Sequence, residues 1–220
     1  MDEPSGTRAL LRIAGALPPV ERAYAIIRFL ILRVKLLAVM DLLLPAEGRL
    51  LDVGCGFGLW TAYFSQMQPA RAITGVDPSE KRIEMARRVA ERVGVRAEFF
   101  AEDIRATLDS GVRGPFAGAY VLDVLHHIPR DDQRPVLERL RDLLAPGGVL
   151  VIKDITTEPW LGLKFTEVLD RAMVGLSEPL AYRHHHEWRA LLEELGFRVR
   201  VVRVPDVLPY PHVVLACQRA

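Results

Sequence analysis

One segment constrains this chain more than any other: Leu50-Leu51-Asp52-Val53-Gly54-Cys55-Gly56-Phe57-Gly58. A short apolar run closes on an acid, three glycines alternate, and a helix-like stretch, Leu59–Met67, begins at once. Glycine lets the backbone turn sharply and come close to a ligand. The free N–H groups of a helix start attract polar or anionic groups. Asp77 ends the next apolar run, about 20 residues beyond the glycines. In a Rossmann-type arrangement that is the place of a carboxylate on ribose hydroxyls.

The rest of the chain supports this arrangement. Short apolar runs at Arg49–Val53, Ala72–Val76, Arg96–Ala101, Ala117–Leu122 and Val149–Lys153 alternate with helical stretches at Leu59–Met67, Glu80–Val93 and Asp131–Leu144. Such alternation implies a mostly parallel sheet covered on both faces. Glu187–Leu195 reads as a further helix, and Arg198–Arg203 and Val213–Cys217 as closing strands. Val204 to His212 is too short for a helical crossover, so the last strand is expected to run antiparallel. Residues 1–19 look loop-like or weakly helical, and a long helix is expected over Val20–Leu44, stopped by Pro45. The expected fold is α/β: a Rossmann-like, doubly wound, seven-stranded, mostly parallel sheet with an antiparallel last strand and an N-terminal helical cap. The expected division is a cap over 1–45 and the sheet domain over 46–220, with 156–186 as an insertion over the active site.

Composition narrows the partners. Half of the 220 residues are hydrophobic and the net charge is +1, so a large core is possible and the basic footprint of a nucleic-acid binder is absent. Cys55 and Cys217 form no disulfide framework, and Met1 to Thr7 lacks the look of a secretory signal, so a cytoplasmic setting is expected. Residues 20–44 are long enough to span a bilayer, but Arg28, Arg33 and Lys35 interrupt them. Each central charge costs about 2.5–3.5 kcal/mol on insertion. A buried or capping helix is the expectation, with peripheral lipid contact as the alternative.

The motifs resemble those of the class I S-adenosylmethionine-dependent methyltransferase family. LLDVGCGFG is similar to its first motif, GVDPS at 75–79 to its second and AEDIR at 101–105 to its third. YVLDVLHHIP at 120–129 and LLAPGGVLVIKD at 143–154 resemble the fourth and post-fourth segments. The resemblance implies S-adenosylmethionine as cofactor. Backbone groups of Gly54 and Gly56 would hold its methionine part in the loop completed by Gly58, with Asp52 nearby. Asp77 would accept the ribose hydroxyls and Pro78 would pack near adenine. Asp103 would take the adenine amine, the Ile104 backbone its neighbouring ring nitrogen, and the Asp123 backbone would sit near the ammonium. An NAD site favours G-x-G-x-x-G over the G-x-G-x-G found here, which disfavours an oxidoreductase. A noncatalytic cofactor-binding partner stays open, because the glycine loop and Asp77 speak for binding and not for turnover.

The acceptor side is less specific. His127, with His126 beside it, is the candidate base at the rim facing the cofactor. Other candidates are Lys153, Asp154, Tyr182, His184, His185, His186, Tyr210 and His212. The run His184-His185-His186-Glu187 lacks H-E-x-x-H spacing, so no metal is expected. Neither cysteine follows proline and no Asn- or Asp-Pro-Pro-aromatic motif follows the fourth strand, so nucleic-acid bases are disfavoured as acceptors. Trp160, Leu161, Leu163, Phe165, Leu169, Met173 and Leu176, with Ile26, Phe29 and Leu30, are expected either to line an apolar acceptor pocket or to be plain core. The acceptor would be a small, apolar or lipid-like molecule, methylated on O, N or C.

Overall fold

In a computed structural model, the structure describes residues 5–105, 111–174, 180–204 and 210–220, the side chains of 170 and 172–174 excepted. The strands are β1 (Gly48–Val53), β2 (Arg71–Asp77), β3 (Ala97–Ala101), β4 (Phe116–Leu122), β5 (Leu144–Ile155), β6 (Phe197–Val202) and β7 (His212–Arg219). They form one sheet in the order β3-β2-β1-β4-β5-β7-β6. Only β7 is reversed: it pairs antiparallel with both β5 and β6, while β1 to β5 pair in parallel. The antiparallel last strand follows from its short connection, and it inserts between β5 and β6. The strand order changes direction between β1 and β4, which opens a crevice at their carboxyl ends.

The period-two pattern of the strands assigns the two layers. Leu50, Tyr120, Val151 and Val214 face one core. Their neighbours Leu51, Val121, Ile152 and Leu215 face the other. On the first side lie α1 (Gly6–Ala16), α2 (Pro19–Leu43) and α3 (Leu59–Met67), with Ile13, Leu37, Met40 and Phe64 fully buried. On the second lie α5 (Arg130–Leu143) and α7 (His185–Glu194), which bury Leu137, Leu140, Trp188 and Leu192. The amphipathic α4 (Glu80–Val93) is capped by the Ser79 side chain and closed by Gly94 in the left-handed region. α6 (Trp160–Val174) occupies the connection after β5.

Residues 6–16, expected to be loop-like or weakly helical, form a full helix. Ser5 caps α1, and Ala9, Leu10, Ile13 and Ala14 recur at helical spacing on its buried face. Two arginines exchange caps between α1 and α4: Arg12 donates to the Val93 carbonyl at 2.8 Å and Arg92 to the Ala16 carbonyl at 2.7 Å. Both bonds satisfy carbonyls at helix ends. α2 departs from helical geometry at Arg33 (φ 43, ψ 150), which splits it in two. Its end is tied to the sheet by the buried Arg71, which donates to Asp41 at 2.5 Å and to the Pro45 carbonyl at 2.7 Å. α1 and α2 therefore share one core with the sheet. Among the described residues no helix is long and apolar enough to cross a membrane.

Candidate active site

The carboxyl ends of β1, β2 and β4 enclose a cavity of about 710 Å³. Its floor is the glycine turn. Gly54 (φ 71) is tied to β2 by its N–H, which donates to the Val76 carbonyl at 2.8 Å. A Cβ here would meet Val124 at 2.4 Å, so this turn excludes other residues. Gly54 lines the cavity with its backbone, and a carbonyl suits a cationic ligand. Nothing lies within 4 Å of a Cβ placed on Gly56, which lines the cavity: a side chain there would take up ligand space.

Asp77 lies in this wall, 4% exposed. Oδ2 accepts the Gly56 N–H at 3.1 Å and Oδ1 the Ser79 N–H at 3.0 Å. The bonds fix the carboxylate and leave lone pairs for two hydroxyl donors. Pro78, Asp103 and Ile104 line the same side. Asp103 is engaged by Arg105, whose guanidinium Nη2 lies 2.5 Å from Oδ2, and those hydrogen bonds hold its carboxyl below the usual range.

Asp123 closes the far wall. Its backbone is left-handed (φ 53), and its carboxylate sits between Arg28 of α2, 2.7 Å away, and Lys153 of β5. Burial opposes its charge, but Lys153 and Arg28 outweigh burial and hold the carboxyl well below the usual range. His127 also faces the cavity, carried by a single 3-10 turn over Leu125–His127.

Three of the expected site residues stand behind the wall. Asp52 is 1% exposed and accepts the Thr61 hydroxyl at 2.5 Å; burial pushes its carboxyl up to about 7 against that hydrogen bond. Gly58 caps α3 in the left-handed region, where a Cβ would press Ala86 at 2.9 Å. His126 is buried, with Nδ1 on Asp154 and its ring stacked on Tyr182 at 5.1 Å, so it backs His127 and does not line the cavity.

The segments 156–186 and Tyr210 to His212, expected near the acceptor at the carboxyl rim of the sheet, contribute described residues to that rim but not to this cavity. Thr156, Glu158, Tyr210 and His212 line a separate cavity of about 560 Å³. Trp160, Leu161 and Phe165 are solvent-exposed, as are Ile26 and Leu30, while Leu163, Leu169 and Phe29 pack on the core. The Met173 side chain and Leu176 lie outside the described residues. Val20, Glu21, Tyr24 and Arg28 of α2 supply part of the cofactor-side wall instead, and sequence reasoning missed them. The available signal was Arg28 itself: a cation inside an apolar helix needs a buried acid as partner. Ring nitrogens of His184, His185 and His186 come within 4.8 Å of one another, but both His185 nitrogens are engaged, by Thr156 at 3.0 Å and Arg203 at 3.1 Å.

A glycine turn at a switch point, with a carboxylate fixed at the end of β2, defines a Rossmann-like domain built for a nucleoside-containing cofactor. Comparison narrows this: residues 50–148 match the family model described as a methyltransferase domain, which supports a class I S-adenosylmethionine-dependent methyltransferase. It is 29% identical over 152 residues to the ubiquinone biosynthesis O-methyltransferase of Caulobacter sp. (strain K31), covering 68% of this chain and 56% of that one. The chain spans less than two thirds of the length of each of the first curated relatives. In fold it resembles the S-adenosylmethionine-dependent methyltransferase SibL (TM-score 0.74, 20% identity, covering 100% of this chain and 63% of that one). It also resembles magnesium protoporphyrin IX methyltransferase from Synechocystis PCC 6803 with bound SAH (TM-score 0.68, 20% identity, 99% and 96%).

Proposed function

We propose that this chain transfers a methyl group from S-adenosylmethionine to an oxygen of a small acceptor. One observation carries the reading: a single cavity runs from the fixed Asp77 carboxylate, past the glycine turn, to His127. The donor set fits the cofactor. Carboxylates and a backbone carbonyl suit a ligand with an ammonium and a sulfonium, and Asp77 suits a ribose. When bound, the cofactor supplies a methyl group on a positively charged sulfur, already activated for in-line attack.

The residues then divide the work. Gly54 would hold the methionine part of the cofactor, Asp77 its ribose and Asp103 its base, the last by exchanging one of its Arg105 contacts. Tyr24 and Trp60 shield the cavity from water. His127 takes the proton of the acceptor hydroxyl as its oxygen attacks, and His126, fixed by Asp154, supports the imidazole from behind at a ring distance of 4.2 Å. Orientation of the two reactants supplies much of the remaining rate. Oxygen is favoured over nitrogen or carbon because several curated relatives are O-methyltransferases.

The buried free thiols Cys55 and Cys217 suit a reducing cytoplasm. A peripheral lipid contact through 20–44 would use the exposed Ile26, Ile27 and Leu30. The test is direct. S-adenosylhomocysteine should raise the melting temperature by mass action while NAD does not, and label from the cofactor methyl should appear in phenolic acceptors. Response to NAD alone would overturn the cofactor reading. Binding without transfer to any acceptor would leave a noncatalytic cofactor-binding protein.

A further inference from the structure

The second cavity, about 560 Å³, lies at the same carboxyl rim of the sheet. Thr156 follows β5, His212 opens β7, Arg203 follows β6 and His185 begins α7. Arg203 Nη2 lies 3.1 Å from His185 Nε2. A guanidinium can only donate, so Nε2 is the accepting nitrogen and Nδ1 carries the proton. Nδ1 then donates to Thr156 Oγ1 at 3.0 Å, and the same oxygen accepts the His185 backbone N–H at 3.1 Å. Both lone pairs of Thr156 are thereby used, and its hydroxyl hydrogen is left to point elsewhere. A neutral His185, 5% exposed, thus fixes Arg203 and frees the Thr156 O–H.

Among the described residues Arg203 faces no carboxylate within ion-pairing distance. Glu158 shares the cavity rim but is turned to His184 at 3.3 Å and is 75% exposed. The other side of the cavity is aromatic. Tyr210 and His212 stack at 5.0 Å with 3° between their planes, and Phe165 meets Tyr210 edge-on at 5.4 Å. The two cavities are neighbours through the sheet. His212 pairs with Ile155, two residues along β5 from Lys153, and Lys153 bonds the Asp123 of the first cavity.

We infer that this cavity is a binding site for a planar aromatic carboxylate, with the ring against Tyr210 and His212 and the carboxylate on Arg203 and the Thr156 hydroxyl. Its use as the acceptor's anchoring end rests on the methyltransferase reading; the binding itself does not. A guanidinium beside a hydroxyl donor recognises a carboxylate over a neutral isostere because its hydrogen bonds to an anion are charge-assisted.

The experiment is calorimetric titration of the full chain, without cofactor, with benzoate, 4-hydroxybenzoate and cinnamate, each beside its neutral alcohol. The carboxylates are expected to bind at least tenfold tighter than the alcohols. Arg203→Gln should abolish that preference and Arg203→Lys should retain part of it. Arg203 is exposed, so both variants should keep the melting temperature of the parent chain, and S-adenosylhomocysteine affinity should not change. Equal binding of acids and alcohols, no binding of either, or a preference that survives Arg203→Gln would overturn the assignment. Loss of S-adenosylhomocysteine binding in the parent chain would instead count against the methyltransferase reading alone.

Discussion

Arg28 of α2 donates to the Asp123 carboxylate at 2.7 Å, across 95 residues of sequence. This bond ties the N-terminal helix to the end of β4, at the wall of the cofactor cavity. Lys153 holds the same carboxylate from the sheet side. The helix is therefore tied to the site by a charge-assisted contact, beside the Val20, Glu21 and Tyr24 that line the cavity.

Arg28→Gln should lower stability by about 1.5–3 kcal/mol, the range for a hydrogen bond to a charged group. Because Asp123 has a depressed carboxyl, its contribution is fully present above the unfolded value near pH 4 and is lost as pH falls further. The variant and the parent should differ most at neutral pH and converge in acid. Denaturant titrations across that range check the sign; a difference that grows in acid would contradict it.

Asp52 should behave in the opposite way. Its folded carboxyl, pushed up to about 7, keeps a proton that the unfolded chain loses near pH 4. Stability therefore falls as pH rises from about 4 to 7, by up to about 1.4 kcal/mol per unit, and levels off above. Asp52→Asn removes this slope. The stability difference between parent and variant, measured by denaturant from pH 4 to 8, should move in favour of the variant. A flat difference would show that Asp52 is charged in the fold.

Asp77→Ala should weaken S-adenosylmethionine and S-adenosylhomocysteine binding at least tenfold, since two charge-assisted bonds of about 1.5–3 kcal/mol each are removed. The variant also takes the acceptor from the Gly56 and Ser79 N–H groups, so its melting temperature without ligand should fall as well, and affinity is compared below that transition. Calorimetry giving an unchanged dissociation constant would move the ribose site elsewhere.

His127→Ala should reduce turnover by about 10²-fold or more, with cofactor affinity nearly intact. His126→Ala should act differently. It leaves the buried Asp154 without its imidazole partner, so loss of stability should accompany any loss of rate. Single-turnover rates and melting curves on the same preparations separate the two roles. Equal stability loss in both variants, with turnover per folded molecule unchanged, would remove His127 from the chemistry.

While the order of the strands was not legible in the sequence, the mostly parallel seven-stranded sheet, the antiparallel β7, the glycine turn and the position of Asp77 at the end of β2 were. Each depends on local rules: alternation of apolar runs, left-handed backbone at glycine, and connection length. α1 was also written there, as a Ser5 cap and an i, i+4 apolar face, but its short segment left loop and weak helix both open. What only the tertiary structure decided was which side chains share a space. Asp52, Gly58 and His126 are neighbours in sequence of true wall residues, yet Asp52 and His126 turn to buried partners at Thr61 and Asp154, and Gly58 is spent on capping α3. Arg28 comes from a distant helix to complete the wall, while the apolar residues of 156–186 divide between core and solvent. Periodicity states the face on which a residue stands. It carries no information about which distant charge lies opposite, because that pairing is set by the packing of whole elements and by the cost of burying a charge alone.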